Sequence, residues 1–397
     1  MSEIILFLPG NIFHSNVTQE KMERMLAEKA GMEALRDSNV PLVFGWQRLD
    51  ELLAADIYDP GRHELCAGSL THVLHSRLTP ERSAWQTAKG IADSRWQKGQ
   101  GSTSIDVTFY PEFAPPFDPE LIPTKYFFLP APQTVYYDYD PTTGTSTLPQ
   151  ALSQKVPAIR FGSKVGILIH NRILINEYLP EGHPNRETRD PIRDQWHKYQ
   201  NKPTRENLDA LVQATRSIAD QDGQVHITLL DLETPYVGGA KDASILWSAY
   251  FEALGKEATT LFSRLEPHLS WFDKQAVDIE SPHRMLDKWT RHDAQLDYIR
   301  RTYDNIHTKT LDERDRWLLA IARSSDTLSA MDSQIRAQKV DTPGFVAKYR
   351  KEVIKLGFTC LNILEGKEPL QALATADPLL GPDLLNILSS LPDDNGH

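Results

Sequence analysis

The segment at residues 225–239, VHITLLDLETPYVGG, holds the densest chemistry in the chain. Read as a strand over 225–233, its alternation sets Asp231 and Glu233 on one face and Leu230 and Leu232 on the other. Two carboxylates at the end of an apolar strand are costly to bury unless they are paired or used. Thr234–Pro235 and Gly238–Gly239 then stop the strand. Catalytic groups in α/β barrels and open α/β sheets sit at the carboxyl ends of strands. The same acids would also serve as ion-pair partners, or as a cap for a helix over 243–254.

Three other segments have similar character. In IDVTFYPEFAPP (105–116), Val107 and Phe109 share one face, and Asp106, Thr108, Tyr110 and Glu112 share the other. An aromatic surround desolvates a carboxylate and raises its pKa, and aromatic faces suit a sugar ring. The plainer alternative is a glutamate in a proline-rich turn. In HELCAGSLTHVLH (63–75), Glu64, Cys66 and Gly68 share a strand face, and His72 and His75 follow. Histidines three apart can share a helix face and reach a metal, or simply hydrogen-bond near the surface. In FLPGNIFHS (7–15), Asn11 and His14 follow Gly10. Asn suits turn geometry, and a polar contact to substrate is its other use here.

These segments need a scaffold that aligns strand ends. Short apolar runs at 4–8, 40–44, 63–68, 105–110, 126–129, 134–137, 165–169 and 225–233 read as strands. Helical spacing recurs between them, at Met22, Met25, Leu26, Ala30 and Leu35, around 49–53, and at Leu208, Leu211, Val212, Thr215 and Ile218. The alternation predicts an α/β fold with a mostly parallel sheet or barrel. After about residue 280 the pattern turns helical. Met285, Trp289, Leu296, Ile299 and Tyr303 share a face there, and 317–321 and 345–356 read as further helices. The expected domains are 1–280 and 281–397. Residues 141–147 and 180–194 read as loops, the second as a solvated loop or a flap.

Composition limits the function classes. The 397 residues carry 43 Lys and Arg against 54 Asp and Glu, a net charge of −11 with no basic block. That balance argues against a nucleic-acid scaffold, since phosphate binding draws on clustered Lys and Arg. A hydrophobic share of 40% with 24% charged residues describes a folded chain. Two cysteines, Cys66 and Cys360, exclude a disulfide framework and a cysteine-rich zinc module. No apolar run approaches the ~18 residues of a membrane span. The 4–8 run suits a first strand better than a secretion signal, so a cytoplasmic location is expected.

Taken in order and spacing over residues 4–330, the four segments resemble glycoside hydrolase family 57, retaining enzymes that act on α-glucans. Glu64 and His72 look like that family's Glu-led strand and His-bearing loop. Tyr110-Pro111-Glu112 is similar to its Pro-Glu nucleophile motif, and Asp231-Leu232-Glu233 to its Asp-x-Glu acid motif. Trp271 or Trp289 resembles the Trp of the helical region that helps form the site. Three stretches depart from the family: Pro9-Gly10-Asn11 stands where His-Gln-Pro is usual, Thr234-Pro235-Tyr236 replaces an aromatic and His, and Arg62-His63-Glu64 replaces Gly-Gln-Ile-Glu.

The resemblance implies an incomplete seven-stranded (β/α) barrel followed by a C-terminal helical region packed on it. It implies carbohydrate metabolism, an oligosaccharide or polysaccharide substrate, no cofactor, no metal, no nucleic acid and no membrane. Hydrolysis and transglycosylation would use the same residues. Glu112 would be the nucleophile and Asp231 the acid/base, with Glu233 supporting Asp231. Asn11, His14, Glu64, His72, Tyr110, Trp46, Trp271 and Trp289 would contact the sugar. Trp46, Trp85 and Trp96 are candidate stacking platforms or core residues. Two alternatives stay open. One is a catalytically inactive carbohydrate-binding barrel. The other is a metal-dependent polysaccharide deacetylase-like hydrolase, which calls for an Asp-Asp pair near the first strand and a His-x-x-x-His loop. This chain has the spacing His72-x-x-His75.

Overall fold

The computed structural model describes residues 3–9, 40–46, 63–71, 75, 78, 80–97, 107–110, 119–130, 139–140, 145–146, 158–161, 163–169, 191–222, 225–229, 243–255, 311–324, 327, 351–378 and 380–391. The chain divides into two compact units. The first comprises 1–11, 26–69 and 74–286; the second comprises 12–25, 70–73 and 287–397.

The first unit is built on a sheet of β1 (Glu3–Pro9), β2 (Val43–Trp46), β3 (Glu64–Ala67), β4 (Val107–Thr108), β5 (Tyr126–Pro130), β8 (Ala158–Phe161), β9 (Lys164–Ile169) and β10 (Val225–Leu229). The strand order is β10-β1-β2-β3-β4-β5-β9-β8. All pairs are parallel except β8 with β9, so seven of the described strands run the same way. A small antiparallel hairpin joins β6 (Tyr139–Asp140) and β7 (Thr145–Ser146), across the stretch that read as a loop.

Alternate residues of this sheet form one buried cluster: Ile5, Phe7, Val43, Cys66, Val107, Phe109, Tyr126, Phe128, Val165 and Ile167. Parallel register puts them on a common face, because paired residues project the same way. The cluster also reveals the sheet's curvature. β1 and β5 are four places apart in the sheet. Laid flat, strands so placed would be about 19 Å apart. Yet the Phe7 and Phe128 ring centroids are 4.7 Å apart, and Phe7 meets Phe109 edge-on at 5.5 Å. The sheet is therefore rolled about this face, with Phe7 touching strands that are not its neighbours.

Five helices or turns of this unit lie between or after the strands. α1 (Pro80–Gln97) follows β3, and a 3-10 turn at Pro119–Leu121 precedes β5. α2 (Pro191–Asn201), α3 (Arg205–Asp222) and α4 (Ala243–Leu254) flank β10 in the chain. α3 buries Leu208, Leu211, Val212, Thr215 and Ile218, the predicted stripe. Its Thr215 hydroxyl bonds the Tyr250 hydroxyl of α4 at 2.6 Å. Trp196 of α2 packs edge-on against Trp247 of α4 at 6.0 Å. α2 corrects part of the loop expected at 180–194: Pro191 opens a helix, where its missing N–H costs nothing and its φ is already helical. β2 begins three residues later than the strand expected at 40–44. The expected strand at 134–137 and helices around 22–35, 49–53 and 285–303 lie outside the described residues.

Among the described side chains of α1, which run to Gly90, there is no apolar stripe. Their buried face is Ser83, Gln86, Thr87 and Gly90, at i, i+3, i+4 and i+7. Small side chains let the helix come close to the backbone that leaves β3. A Cβ on Gly90 would overlap the Gly68 carbonyl oxygen and stand 2.9 Å from the Ser69 carbonyl carbon.

The second unit is helical among its described residues. α5 (Glu313–Ala322) is capped by Asp312, whose carboxylate accepts the Asp315 N–H at 2.7 Å. Six consecutive residues, Trp317 to Ala322, are buried, as in a helix enclosed on all sides. The Thr71 hydroxyl donates to the Ala320 carbonyl at 3.2 Å. α6 (Lys351–Leu364) ends at Gly366, whose φ of 71° suits a left-handed cap, with Lys367 N–H returning to the Asn362 carbonyl at 2.8 Å. A 3-10 turn at Leu370–Ala372, α7 (Leu373–Ala376) and α8 (Gly381–Ser390) complete it. Both cysteines are buried free thiols. Among the described residues, no helix is long and apolar enough to cross a membrane.

The contact between α1 and the end of β3 makes a direct prediction. Gly90→Ala forces backbone against backbone, with no flexible side chain to yield. It should destabilise the protein by about 2 kcal/mol or more. Urea unfolding of parent and variant measures this, and equal midpoints would disprove the close approach.

Candidate functional site

Parallel strands present all their carboxyl ends at one rim. The strands β10, β1, β2, β3 and β4 are consecutive neighbours. Their carboxyl ends lead, in that order, into the segments containing Asp231 and Glu233, Asn11 and His14, Trp46, His72, and Tyr110 and Glu112. The segments singled out by residue chemistry thus leave the sheet from five adjacent strands. Asn11, His14, His72, Glu112, Asp231, Glu233, Trp271 and Trp289 themselves lie outside the described residues, as does the Trp46 side chain, although Trp46 closes β2.

Phe7 links the two segments that hold the carboxylates. Its Cα pairs with Leu229, the last residue of β10, two before Asp231. Its ring meets Phe109, three residues before Glu112. Adjacent strands are about 4.8 Å apart. The two departure points therefore lie on either side of a single aromatic side chain.

Glu64 is set differently. It opens β3 rather than closing it, about 10 Å of strand before Ala67. Its Cα pairs with Val43, and Val43 pairs with Phe7, so register carries it onto the line that ends β10 at Leu229. The strands are staggered, and Glu64 is half-buried on that line. Trp85 rides on α1, also half-buried, and the Trp96 side chain is outside the described residues.

Tyr110 is wholly buried. It follows Phe109, whose side chain joins the inner cluster, and turns the other way, toward α1. Its ring meets the His75 ring edge-on, with centroids 4.6 Å apart. Burial lifts its hydroxyl well above the usual phenol range, and the nearby Thr87 offsets only part of that rise. Among the described residues the hydroxyl has no partner in hydrogen-bonding geometry. Thr87 directs its own proton to the Ser83 carbonyl at 2.9 Å. Tyr110 thus packs beneath its strand end instead of facing solvent.

His75 is the residue whose role sequence reasoning left open between metal ligand and surface group. It is buried, its Nδ1 stands 2.9 Å from the Ser83 hydroxyl, and its Nε2 has no partner among the described residues. Desolvation lowers its pKa to about 3, so the ring is neutral at ordinary pH. His63 is also buried, and its Nδ1 accepts the Leu42 N–H at 3.2 Å. Among the described residues, no three His, Cys, Asp or Glu side chains come together as a metal set. The sequence signal for the Ser83–His75 pair was the polar spacing on α1, which an apolar-periodicity reading passes over.

The neutral His75 makes stability depend on pH. Unfolded, it titrates near pH 6.5; folded, only near 3. The unfolded chain therefore takes up a proton first, and stability falls as pH drops below 6.5. The slope from this one group reaches about 1.4 kcal/mol per pH unit. Urea titrations of parent and His75→Phe at pH 7.5, 6 and 5 should diverge by that slope. Parallel curves would show that the ring is not held neutral.

No family model matches the chain, and no curated protein matches it. Solved structures do. A GH57 branching enzyme from the hyperthermophilic archaeon Thermococcus kodakaraensis is 13% identical with a TM-score of 0.55, over 98% of this chain and 97% of that one. A 4-α-glucanotransferase from Thermococcus litoralis is 11% identical with a TM-score of 0.42, over 90% of this chain and 55% of that one. An exo-type maltose-forming amylase from Pyrococcus sp. ST04 is 9% identical with a TM-score of 0.44, over 98% of this chain and 73% of that one. The parallel α/β sheet with its helices is thus a fold this chain shares, almost end to end, with a GH57 branching enzyme.

Proposed function

We propose that this chain is an α-glucan-acting enzyme, a glycoside hydrolase or transglycosylase that works by retaining double displacement. The observation that carries the proposal is the place of Phe7 between the strand ends leading to Asp231 and Glu112. A retaining enzyme needs two carboxyl groups about 5–5.5 Å apart, and two segments leaving either side of one phenylalanine suit that separation. The shared fold with a branching enzyme supports the substrate class. On this reading the rolled sheet is an incomplete barrel of seven parallel strands within residues 1–280, and residues 281–397 form a helical region.

Glu112 attacks the anomeric carbon while Asp231 protonates the departing glycosidic oxygen. The glycosyl group is then held as an ester on Glu112. Asp231, now a carboxylate, takes a proton from water or from an acceptor hydroxyl, which opens the ester and returns both carboxyl groups to their starting states. Glu233, two residues on, raises the pKa of Asp231 by like-charge repulsion and keeps it protonated for the first step. Water completes hydrolysis and a sugar hydroxyl completes transfer.

Single substitutions separate the two roles. Glu112→Ala should lower kcat on α-linked glucans and on aryl α-glycosides alike, by about 10³-fold or more. Asp231→Ala should largely spare kcat/KM on aryl glycosides whose leaving group needs no proton, while kcat there falls because the ester opens without a base, and glucan activity falls by a similar ~10³-fold. Added azide should restore turnover in Asp231→Ala, giving a glycosyl azide of retained configuration. Undiminished activity in both folded variants would sink the mechanism. Activity abolished by a chelator would instead favour the deacetylase-like alternative.

A further inference from the structure

We propose that His75 is a positioning residue: hydrogen-bonded to Ser83 of α1 and edge-on to Tyr110, it fixes the strand end from which Glu112 departs. The inference rests on the reading of Glu112 as nucleophile, and it concerns residues that this reading leaves without a part.

The geometry forms a chain of contacts. Gly90 lets α1 approach the backbone at Gly68 and Ser69 closely, so the helix has little freedom to slide. Ser83 is on the same face of α1, about two turns earlier, and its hydroxyl meets His75 Nδ1 at 2.9 Å. That bond sets the plane of the imidazole. The ring edge then abuts Tyr110 at 4.6 Å, with an interplanar angle of 68°. Tyr110 is two residues before Glu112. On the proposed reading, a shift of Tyr110 would shift the chain that leads to Glu112. Its hydroxyl lies near Thr87 of α1, and its ring is braced by the edge-on packing against His75.

The polar make-up of this brace is informative. His75 Nε2 has no hydrogen-bond partner among the described residues, and burying this imidazole beside the Tyr110 phenol carries a desolvation cost. A leucine pair would fill the space without that cost but would make no directional bond to α1. A planar ring locked at one nitrogen defines an orientation. Misplacing a reacting group by about 1 Å can cost ~10²-fold in rate.

The test compares Ser83→Ala, His75→Phe and the double variant with the parent and with Glu112→Ala, on an aryl α-glycoside, at a temperature where circular dichroism shows each to be folded. Ser83→Ala and His75→Phe should each lower kcat by about 10- to 100-fold with KM changed less than threefold. The double variant should be no slower than the slower single, because both changes break one bond. Ser83→Ala removes a single oxygen and decides the matter alone if His75→Phe does not fold. A kcat within twofold of the parent in Ser83→Ala, with Glu112→Ala inactive, overturns the positioning role and leaves the nucleophile in place. Losses that add in the double variant, or that appear in KM alone, overturn it as well. Full activity in Glu112→Ala removes the nucleophile itself, and with it anything for His75 to position.

Discussion

The inward apolar face of the sheet, gathered around Phe7, is the constraint on which the rest of the first unit depends. Strands four places apart touch only because the sheet rolls, and it rolls because Ile5, Phe7, Phe109, Phe128 and their neighbours have one interior to share. Burial of such side chains is worth roughly 1.5–3 kcal/mol each. Aromatic rings in edge-on or tilted contact add geometric preference to that burial. A rolled parallel sheet then gathers its carboxyl ends into a rim. The chemistry proposed for this chain needs that gathering, because Asp231 and Glu112 are more than a hundred residues apart in sequence.

Two kinds of packing support the rim from outside. α3 and α4 bury apolar and aromatic side chains, with the Thr215–Tyr250 bond between them. α1 buries serine, glutamine, threonine and glycine, and comes close enough to touch backbone. The first kind tolerates volume-conserving change. The second has no slack at Gly90, and it fixes directions through hydrogen bonds at Ser83 and Thr87. The α1 face lies against the strand ends that lead toward Glu112, where direction counts for more than bulk.

The sequence was legible where periodicity and apolar content coincide. β1, β3, β5 and β9 stand within a residue or two of their expected places, and α3 extends three residues before and four after its expected stripe, since each presents an alternating or helical apolar pattern. α1 was illegible because its buried face is polar and small. α2 was hidden by Pro191, which also reads as loop punctuation although it suits a first helical turn. Of the candidate site, the strands that lead toward Asp231 and toward Glu112 could be read, while those residues themselves lie outside the described ones. The inward turn of Phe109 and the outward turn of Tyr110 were also implied by alternation. What Tyr110 would meet was not, because that depends on His75, 35 residues earlier in the chain.

The pairing of β1 with β10 also bears on how the chain is made. β1 sits between β2 and β10, and its partner on one side lies more than 200 residues downstream. At about 5–20 residues per second, a ribosome needs roughly 10–40 seconds to supply that partner. Until then one edge of an apolar strand, with its row of open N–H and C=O groups, is exposed to any other strand it meets. The edge around Ile4 to Phe7 is therefore open to aggregation in the nascent chain, and synthesis of β10 is the event that closes it.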